Sequence, residues 1–232
     1  MNRAGPGEVL RSLVFYAVFY GMTGVLALLV TVQLALPGRG VVHGVHIWTR
    51  LHRWCVTHIL GIAVRIEGMP PDGPVLVALK HESFFEAIDL PNLLTYPGVF
   101  AKIELLQLPL WGRAARSYGL IGVERDQGAR ALRAMVKAAR PLVAENRPLA
   151  IFPEGTRVPH GTHPPLMSGF AGVYSLLSLA VVPVAVDSGA TYRRRWKRRG
   201  TITVRFGERI PAGLPRAEIE AQVHAAINAL NP

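Results

Sequence analysis

Residues 75–86 read Val-Leu-Val-Ala-Leu-Lys-His-Glu-Ser-Phe-Phe-Glu. The first five residues form an apolar run, which is typical of a short buried β-strand. The polar residues that follow predict a turn and then a helix that begins near Ser83, with Glu86 placed as in a capping box. A strand that passes through a turn into a helix is the repeating unit of α/β folds.

His81 lies on this predicted turn, five positions before Glu86. An imidazole can take a proton from an alcohol near neutral pH, and a carboxylate beside it fixes its tautomer and stabilises the imidazolium. On one continuous helix the two side chains would point about 140° apart, so the pair requires the turn. The alternative is that Glu86 only caps the helix and His81 is an ordinary loop histidine. No second histidine or cysteine lies at metal-ligand spacing here, so we expect acid–base chemistry and no metal.

A second apolar run, residues 149–152, leads into residues 153–157, which read Pro-Glu-Gly-Thr-Arg. Backbone N–H groups converge in a tight turn that contains glycine, and a guanidinium can hold two phosphate oxygens. This turn therefore suits an anion. A structural turn held by a Glu154–Arg157 ion pair is the alternative.

Together the two motifs resemble the glycerolipid acyltransferase family, whose members carry a His-x4-Asp block followed by a Phe-Pro-Glu-Gly-Thr-Arg block. The latter is present letter for letter at residues 152–157. Two further family blocks occur in the family order, at residues 100–105, with Pro109 and Gly112 beyond, and at residues 181–186. The resemblance covers about residues 80–186 and is closest to the 1-acyl-sn-glycerol-3-phosphate (lysophosphatidate) acyltransferase group.

This resemblance implies that a fatty acyl chain moves from acyl carrier protein or coenzyme A to the 2-hydroxyl of lysophosphatidate, with no cofactor. His81 would be the general base and Glu86 its partner. The residues implied to bind substrate are Lys102, Glu104, Glu154, Gly155, Thr156 and Arg157. We expect direct transfer, because the only cysteine, Cys55, is far in sequence from every block and Ser83 lacks a Gly-x-Ser-x-Gly elbow.

Two positions depart from the family pattern. Glu86 stands where the family has aspartate, so its backbone must lie further from His81, and Asp89 is a rival partner. Residues 167–169 read Met-Ser-Gly where many relatives have Lys-x-Gly, so a cation expected near the acceptor phosphate is missing. Another lyso-lipid acceptor, such as a lyso-ornithine lipid or another lysophospholipid, therefore stays an alternative. A non-catalytic protein that binds membrane surfaces is a third hypothesis.

Residues 1–64 are predicted to form a membrane-associated helical segment. No charged residue occurs from 12 to 38, and residues 12–36 would measure about 37 Å as a helix, enough to cross a bilayer. A cleaved signal peptide is disfavoured because no small-x-small site follows, and a core helix would be unusually long. We expect a membrane helix, either spanning or embedded from one side. Residues 43–64 mix histidine and arginine with aromatic and aliphatic residues, which predicts a helix at the lipid interface with no metal bound to its histidines.

Charge also indicates the kind of partner. The chain has 26 Lys and Arg against 15 Asp and Glu, a net charge of +11, and six of these cations lie in residues 193–199. This basic loop is either only solvated or binds anionic membrane lipids, an acidic acyl carrier protein or the phosphates of coenzyme A. A basic run with Trp196 also suits nucleic acid, but the uncharged N-terminal segment argues against it, and no nucleic-acid partner is expected.

Six apolar runs predict strands, at residues 75–79, 99–102, 120–123, 149–152, 182–186 and 201–206. Helical periodicity is clearest over residues 128–144, and a last helix is expected at about 216–230. The alternation predicts an α/β fold, a mainly parallel sheet flanked by helices, as one catalytic domain over residues 65–232. The catalytic blocks then fall where strands end.

The expected location follows from the cysteine content and the donor. One cysteine excludes an intramolecular disulfide and fits a reducing compartment. Since thioester donors are cytoplasmic, the resemblance places the catalytic domain on the cytoplasmic face of the inner membrane.

Overall fold

The computed structural model describes residues 4–33, 40–109, 111–124 and 128–231. The helices in these ranges are α1 (Pro6–Gln33), α2 (Gly40–Trp54), α3 (Phe85–Leu93), α4 (Ile103–Gln107), α5 (Trp111–Tyr118), α6 (Gly128–Ala144), α7 (Ser168–Leu177) and α8 (Arg216–Ile227). The strands are β1 (Ile62–Glu67), β2 (Leu76–Leu79), β3 (Gly98–Lys102), β4 (Leu120–Val123), β5 (Leu149–Ile151), β6 (Val181–Val186) and β7 (Gly200–Phe206).

The strands form one sheet in the order β1-β7-β6-β2-β5-β3-β4. Neighbouring strands are parallel except β6 and β7. The predicted α/β fold with a mainly parallel sheet flanked by helices is therefore confirmed. Strand β2 lies between β5 and β6, so the sheet is extended in opposite directions on its two sides. In open α/β sheets, ligands bind beyond the carboxyl ends of the strands at such a point, and β2 ends immediately before Lys80 and His81.

Helices cover both faces of the sheet. Side chains from α1, α2 and α3 pack on the face that includes Val77 and Leu79, whereas α6, α7 and α8 pack on the face that includes Leu76 and Ala78. Successive residues of a strand point to opposite faces, so one four-residue strand contributes to both cores. All four residues of β2 are buried, as expected for a central parallel strand.

The six predicted strands are present with small shifts at their ends, but β1 was not predicted. Residues 43–64 were expected to form an interfacial helix, and this is wrong beyond Trp54, where α2 ends. A π-helical turn follows over Cys55–Ile59, and β1 then pairs in parallel with β7. Residues 62–67 read Ile-Ala-Val-Arg-Ile-Glu, and this period-two alternation was the overlooked signal.

His52 also differs from the interfacial position expected of it. Its side chain is fully buried among aromatic rings of α1 and α3, and its Nε2 lies 2.8 Å from the Tyr192 hydroxyl. Burial, with a smaller effect of Arg53 and Lys197, lowers the pKa of His52 to about 3. The ring is therefore neutral at physiological pH and belongs to the core.

Helix α1 docks on the domain through one side. Of its 28 residues, Ser12, Phe15 and Phe19 are buried, whereas most residues of a core helix would be. Among the described residues, α1 is the one helix long and apolar enough to cross a membrane by length and composition. Residues 34–36 of the predicted span lie outside the described residues, and the division into segments 1–64 and 65–232 stays a prediction.

The basic loop, residues 193–199, packs against the first turns of α1. The Lys197 N–H donates to Ser12 Oγ at 2.8 Å, and the Tyr16 hydroxyl donates to the carbonyl of Arg195. The Lys197 side chain is buried and its pKa is lowered to about 8 by burial. Part of this loop therefore joins the N-terminal helix to the domain.

Candidate active site

The turn after β2 brings His81 and Glu86 together. Helix α3 begins at Phe85, two residues after the predicted start near Ser83. One of the two predicted capping-box contacts is present, because the Ser83 N–H donates to Glu86 Oε1 at 2.6 Å. The Ser83 hydroxyl accepts the N–H of Phe85 at 3.0 Å instead of that of Glu86. Glu86 therefore contacts both the helix start and the histidine.

His81 Nδ1 lies 3.0 Å from Glu86 Oε1. A carboxylate only accepts hydrogen bonds, so this contact assigns the proton of the neutral ring to Nδ1 and leaves Nε2 as the basic nitrogen. The Phe152 ring stacks on the imidazole with 4.0 Å between centroids, which fixes the ring plane. Because the His81 side chain is 15% exposed, it can be reached from the adjoining cavity.

Glu86 itself is fully buried and surrounded by donors. Besides the Ser83 N–H, its Oε1 accepts the Glu82 N–H at 2.6 Å. Its Oε2 accepts the hydroxyls of Ser83 at 3.0 Å and Ser188 at 2.6 Å. Burial acts to raise the pKa of Glu86, but the contacts with His81, Ser188 and Ser83 outweigh it, so the pKa is lowered. The carboxylate is thus kept ionised.

Asp89, the rival partner, makes its polar contacts with Arg53 and Asn92. Its Oδ1 accepts hydrogen bonds from Arg53 Nε at 2.9 Å and Asn92 Nδ2 at 2.8 Å. Asn92 in turn donates to the carbonyl of Thr49. Burial raises the pKa of Asp89 against the opposing effect of Arg53. Asp89 therefore joins α3 to α2.

The Glu154 carboxylate supports the backbone of the histidine. It is buried, with Oε2 accepting the His81 N–H at 2.9 Å and Oε1 accepting from Lys80 Nζ at 2.7 Å. Lys80 is also fully buried and donates to Asn228 and to the carbonyl of Thr162. The Glu154–Arg157 ion pair considered from the sequence is not what Glu154 makes. Its cationic partner is Lys80.

The other residues of this turn line a cavity of about 1580 Å³ that also includes His81. Gly155 has φ of 70°, and a Cβ there would lie 2.8 Å from Met167 Cγ, so the turn requires glycine. The Arg157 guanidinium stacks on the exposed Phe84 ring at 3.8 Å. Lys102 and Thr156 also line the cavity, whereas Glu104 is exposed on α4 and is not among the described residues that form its wall.

Lys102 and Arg157 give the cavity cationic groups near His81. The rest of its lining is largely apolar. The apolar side chains include Phe19, Leu26, Trp48, Ile88, Leu132 and Met135. Such a lining accepts hydrocarbon and offers it few polar contacts. The arrangement can hold an apolar chain with its polar end beside the His81–Glu86 pair.

Sequence reasoning missed several polar residues at this site. Ser188 follows β6 and lies 102 positions after Glu86, so no local spacing could have indicated their contact. Glu82 is buried, and it accepts the Gly189 N–H at 2.7 Å and approaches His160 Nδ1 at 3.1 Å. Burial raises the pKa of Glu82. Within the described ranges, no cluster of three or more His, Cys, Asp or Glu is arranged to hold a metal ion.

Comparison with known proteins gives consistent matches. The profile of the acyltransferase family matches residues 61–187. The chain is 29% identical over 188 residues to 1-acyl-sn-glycerol-3-phosphate acyltransferase of Pseudomonas aeruginosa, covering 79% of this chain and 70% of that protein. It is 28% identical over 194 residues to the human 1-acyl-sn-glycerol-3-phosphate acyltransferase alpha, covering 81% and 67%. The crystal structure of the 1-acyl-sn-glycerophosphate acyltransferase PlsC from Thermotoga maritima superimposes with a TM-score of 0.75 at 18% identity, over 96% of this chain and 97% of that one, and so supports the fold.

Proposed function

The chain belongs to the acyltransferase family, and on this basis we propose that it transfers a fatty acyl chain from a thioester to the sn-2 hydroxyl of lysophosphatidate, forming phosphatidate. The observation that carries the proposal is the His81–Glu86 pair at 3.0 Å beside a largely apolar cavity. The names of the relatives support lysophosphatidate as the acceptor.

In the proposed mechanism His81 is the general base. Its Nε2 takes the proton of the acceptor hydroxyl while the oxygen attacks the thioester carbonyl and forms a tetrahedral oxyanion. The oxyanion collapses, the carbon–sulfur bond breaks, and the imidazolium returns the proton to the leaving thiolate. Glu86 stabilises the imidazolium between these steps, for which its lowered pKa is suited because the carboxylate stays charged.

Cations beside the pair would bind the acceptor phosphate. Lys102 and Arg157 line the cavity, and stacking on Phe84 supports the guanidinium of Arg157. Glu154 serves in this proposal through the backbone of His81, and Gly155 and Thr156 through the shape of the turn. The apolar part of the cavity would hold an acyl chain delivered by acyl carrier protein or coenzyme A.

We further propose that α1 lies in the inner membrane with the catalytic domain on its cytoplasmic face. The helix exposes large apolar side chains along its length, among them Leu10, Leu13, Val25, Leu28, Leu29 and Val32. Burying them in lipid would remove this surface from water. Anionic lipids would meet the exposed arginines of the basic loop, which packs on the same helix.

One observation favours a second acceptor class. Met167, beside Gly155, occupies the region where many relatives supply a lysine, and it brings an apolar side chain to the cavity wall. An acceptor with less negative charge, such as a lyso-ornithine lipid, needs fewer cations there. The chemistry at His81 would be the same.

Transfer of labelled acyl chains to lysophosphatidate by the detergent-purified protein tests the proposal, with acyl carrier protein and coenzyme A as donors in separate assays. His81→Ala should lose about 100- to 10,000-fold in rate, the usual contribution of general acid–base catalysis. Glu86→Gln should lose less, because Gln retains part of the hydrogen bonding. His58→Ala is the matched control, since His58 is exposed outside the cavity.

Each outcome bears on a separate part of the proposal. Undiminished transfer by His81→Ala would overturn the assignment of the base. A wild-type protein that is inactive on lysophosphatidate with both donors, yet acylates another lyso-lipid, would overturn the acceptor and leave the chemistry standing.

A further inference from the structure

Helix α6 presents a row of four exposed cations, which we call the α6 stripe: Arg130, Arg133, Lys137 and Arg140. At 100° per residue these positions lie within about 80° of one another and extend along about 15 Å of the helix. Residues 128–144 contain no aspartate or glutamate. Within the described part of the chain, none of the four forms an ion pair.

Some exposed arginines elsewhere in the described residues have acidic partners, which the four cations of the α6 stripe lack. Arg205 Nε lies 2.6 Å from Glu67, and Arg216 Nε lies 2.9 Å from Glu220. Like charges three or four residues apart on a helix repel and destabilise it. An acidic surface placed against the α6 stripe would remove that repulsion, so the stripe suits an anionic partner about three helical turns long.

The position of α6 connects the stripe to the reaction. The helix follows β4 and begins at the sheet edge where β2 delivers His81, and Gly128, Ala129 and Leu132 line the same cavity as His81. Arg130 and Arg133 alternate with these cavity-lining positions in the first turns. The stripe therefore starts beside the cavity and leads away from it.

The sheet face on which α6 packs bears on whether the partner of the α6 stripe is a soluble protein or a bilayer. Helix α6 packs with α7 on one face, whereas α1, with its exposed apolar surface, packs with α2 and α3 on the other. Because α1 and α6 pack on different faces of the sheet, a bilayer could cover the exposed side of α1 without covering the α6 stripe. In that arrangement a protein in solution would have access to the stripe.

We propose that the α6 stripe docks an acidic carrier protein that presents the acyl thioester, with the acyl arm entering the cavity at the first turn of α6. The inference rests on the proposed function and specifies its donor. Opposite charges on the two surfaces would speed association and orient the thioester toward His81. Coenzyme A, which has no protein surface, needs no contact with the far end of the stripe.

The experiment compares Arg133→Glu/Lys137→Glu with a control of equal charge change, Arg65→Glu/Arg209→Glu. Arg65 and Arg209 are both exposed, on β1 and after β7. Rates are measured with lysophosphatidate against increasing acyl carrier protein or acyl coenzyme A. Binding of the unacylated carrier protein is measured directly by fluorescence anisotropy at 50 and 200 mM salt.

The α6 variant should raise KM for acyl carrier protein by about tenfold or more with kcat within about twofold, weaken carrier binding equally, and reduce its salt dependence. The kcat/KM of the α6 variant for acyl coenzyme A should stay within about twofold of the wild-type value. The kcat/KM of the control variant should stay within about twofold of the wild-type value for both donors. Equal losses with both donors, unchanged carrier binding, or reduced binding only to vesicles that contain phosphatidylglycerol would overturn the proposal. Binding of the carrier protein is measured without turnover. Inactivity on lysophosphatidate would therefore contradict the proposed function without contradicting the docking of the carrier protein.

Discussion

Ser188→Ala removes one hydrogen bond to the buried carboxylate, together with the contact between the Ser188 and Ser83 hydroxyls at 2.8 Å. In the wild type, Ser188 Oγ donates to Glu86 Oε2 at 2.6 Å, and the one other donor to that oxygen among the described residues is the Ser83 hydroxyl, at 3.0 Å. A hydrogen bond to a charged group contributes about 1.5–3 kcal/mol. For a protein of this size that corresponds to a fall in Tm of roughly 3–12 °C at neutral pH.

The pH dependence follows from the direction of the pKa shift. The folded pKa of Glu86 is lowered, so its ionisation stabilises the fold above the unfolded pKa of about 4.3, and this contribution is lost as pH falls through the folded value. Removing the Ser188 donor raises the folded pKa. The stability difference between wild type and variant should therefore be largest near pH 7 and shrink toward pH 4.

Two assays check this reasoning. Thermal unfolding of the detergent-purified protein at pH 7 and pH 4 gives the stability difference, and kcat/KM against pH gives the acid limb, which should move to higher pH in Ser188→Ala. Ser12→Ala is the control, because Ser12 is equally buried but its hydroxyl contacts only backbone groups of Glu8 and Lys197. A Tm loss that is the same at both pH values, together with an unmoved acid limb, would refute the assigned role.

Three other substitutions test the supports of the site. The wild type should lose about 1.4 kcal/mol of stability per pH unit as pH falls from 6.5 to 3, because His52 binds a proton there in the unfolded chain but not in the folded one. His52→Gln should lack this pH dependence, which unfolding free energies measured against pH would show. Lys80→Met should cost about 3–5 kcal/mol by leaving Glu154 buried without its cation, and a lowered Tm would report it, whereas an unchanged Tm would contradict it. Gly155→Ala should reduce kcat/KM by tenfold or more, since its φ of 70° and the 2.8 Å approach to Met167 force the turn to shift; steady-state kinetics decide it.

Much of the fold was predictable because its signals are local. Buried parallel strands have short apolar runs in the sequence, and α6 has apolar residues at helical spacing. These elements could therefore be located without knowing which other elements they pack against. The His81–Glu86 pair was also within reach, since both residues belong to one turn. The extra methylene of Glu86 is accommodated by the turn itself, which aims Oε1 at the imidazole and at two backbone N–H groups.

The remainder depends on contacts between distant parts of the chain. Ser188 reaches Glu86, and Lys80 reaches Asn228, only because β6 and α8 pack beside β2. Strand β1 was missed because its neighbours in sequence favoured an interfacial helix, and pairing with β7 overrode that tendency. Residues 43–64 mix polar and apolar side chains partly because some of them, such as His52, are buried against α1 while others are exposed.

The contacts between the basic loop and α1 have a consequence for the order of assembly in the cell. Tyr16 and Arg195 are 179 positions apart, so at 5–20 residues per second roughly ten to forty seconds of synthesis separate the two halves of this contact. Throughout that interval the nascent helix lacks the basic loop that packs against it in the folded protein. Another apolar environment, the bilayer or a chaperone, must shelter α1 until residues 193–199 have been synthesised.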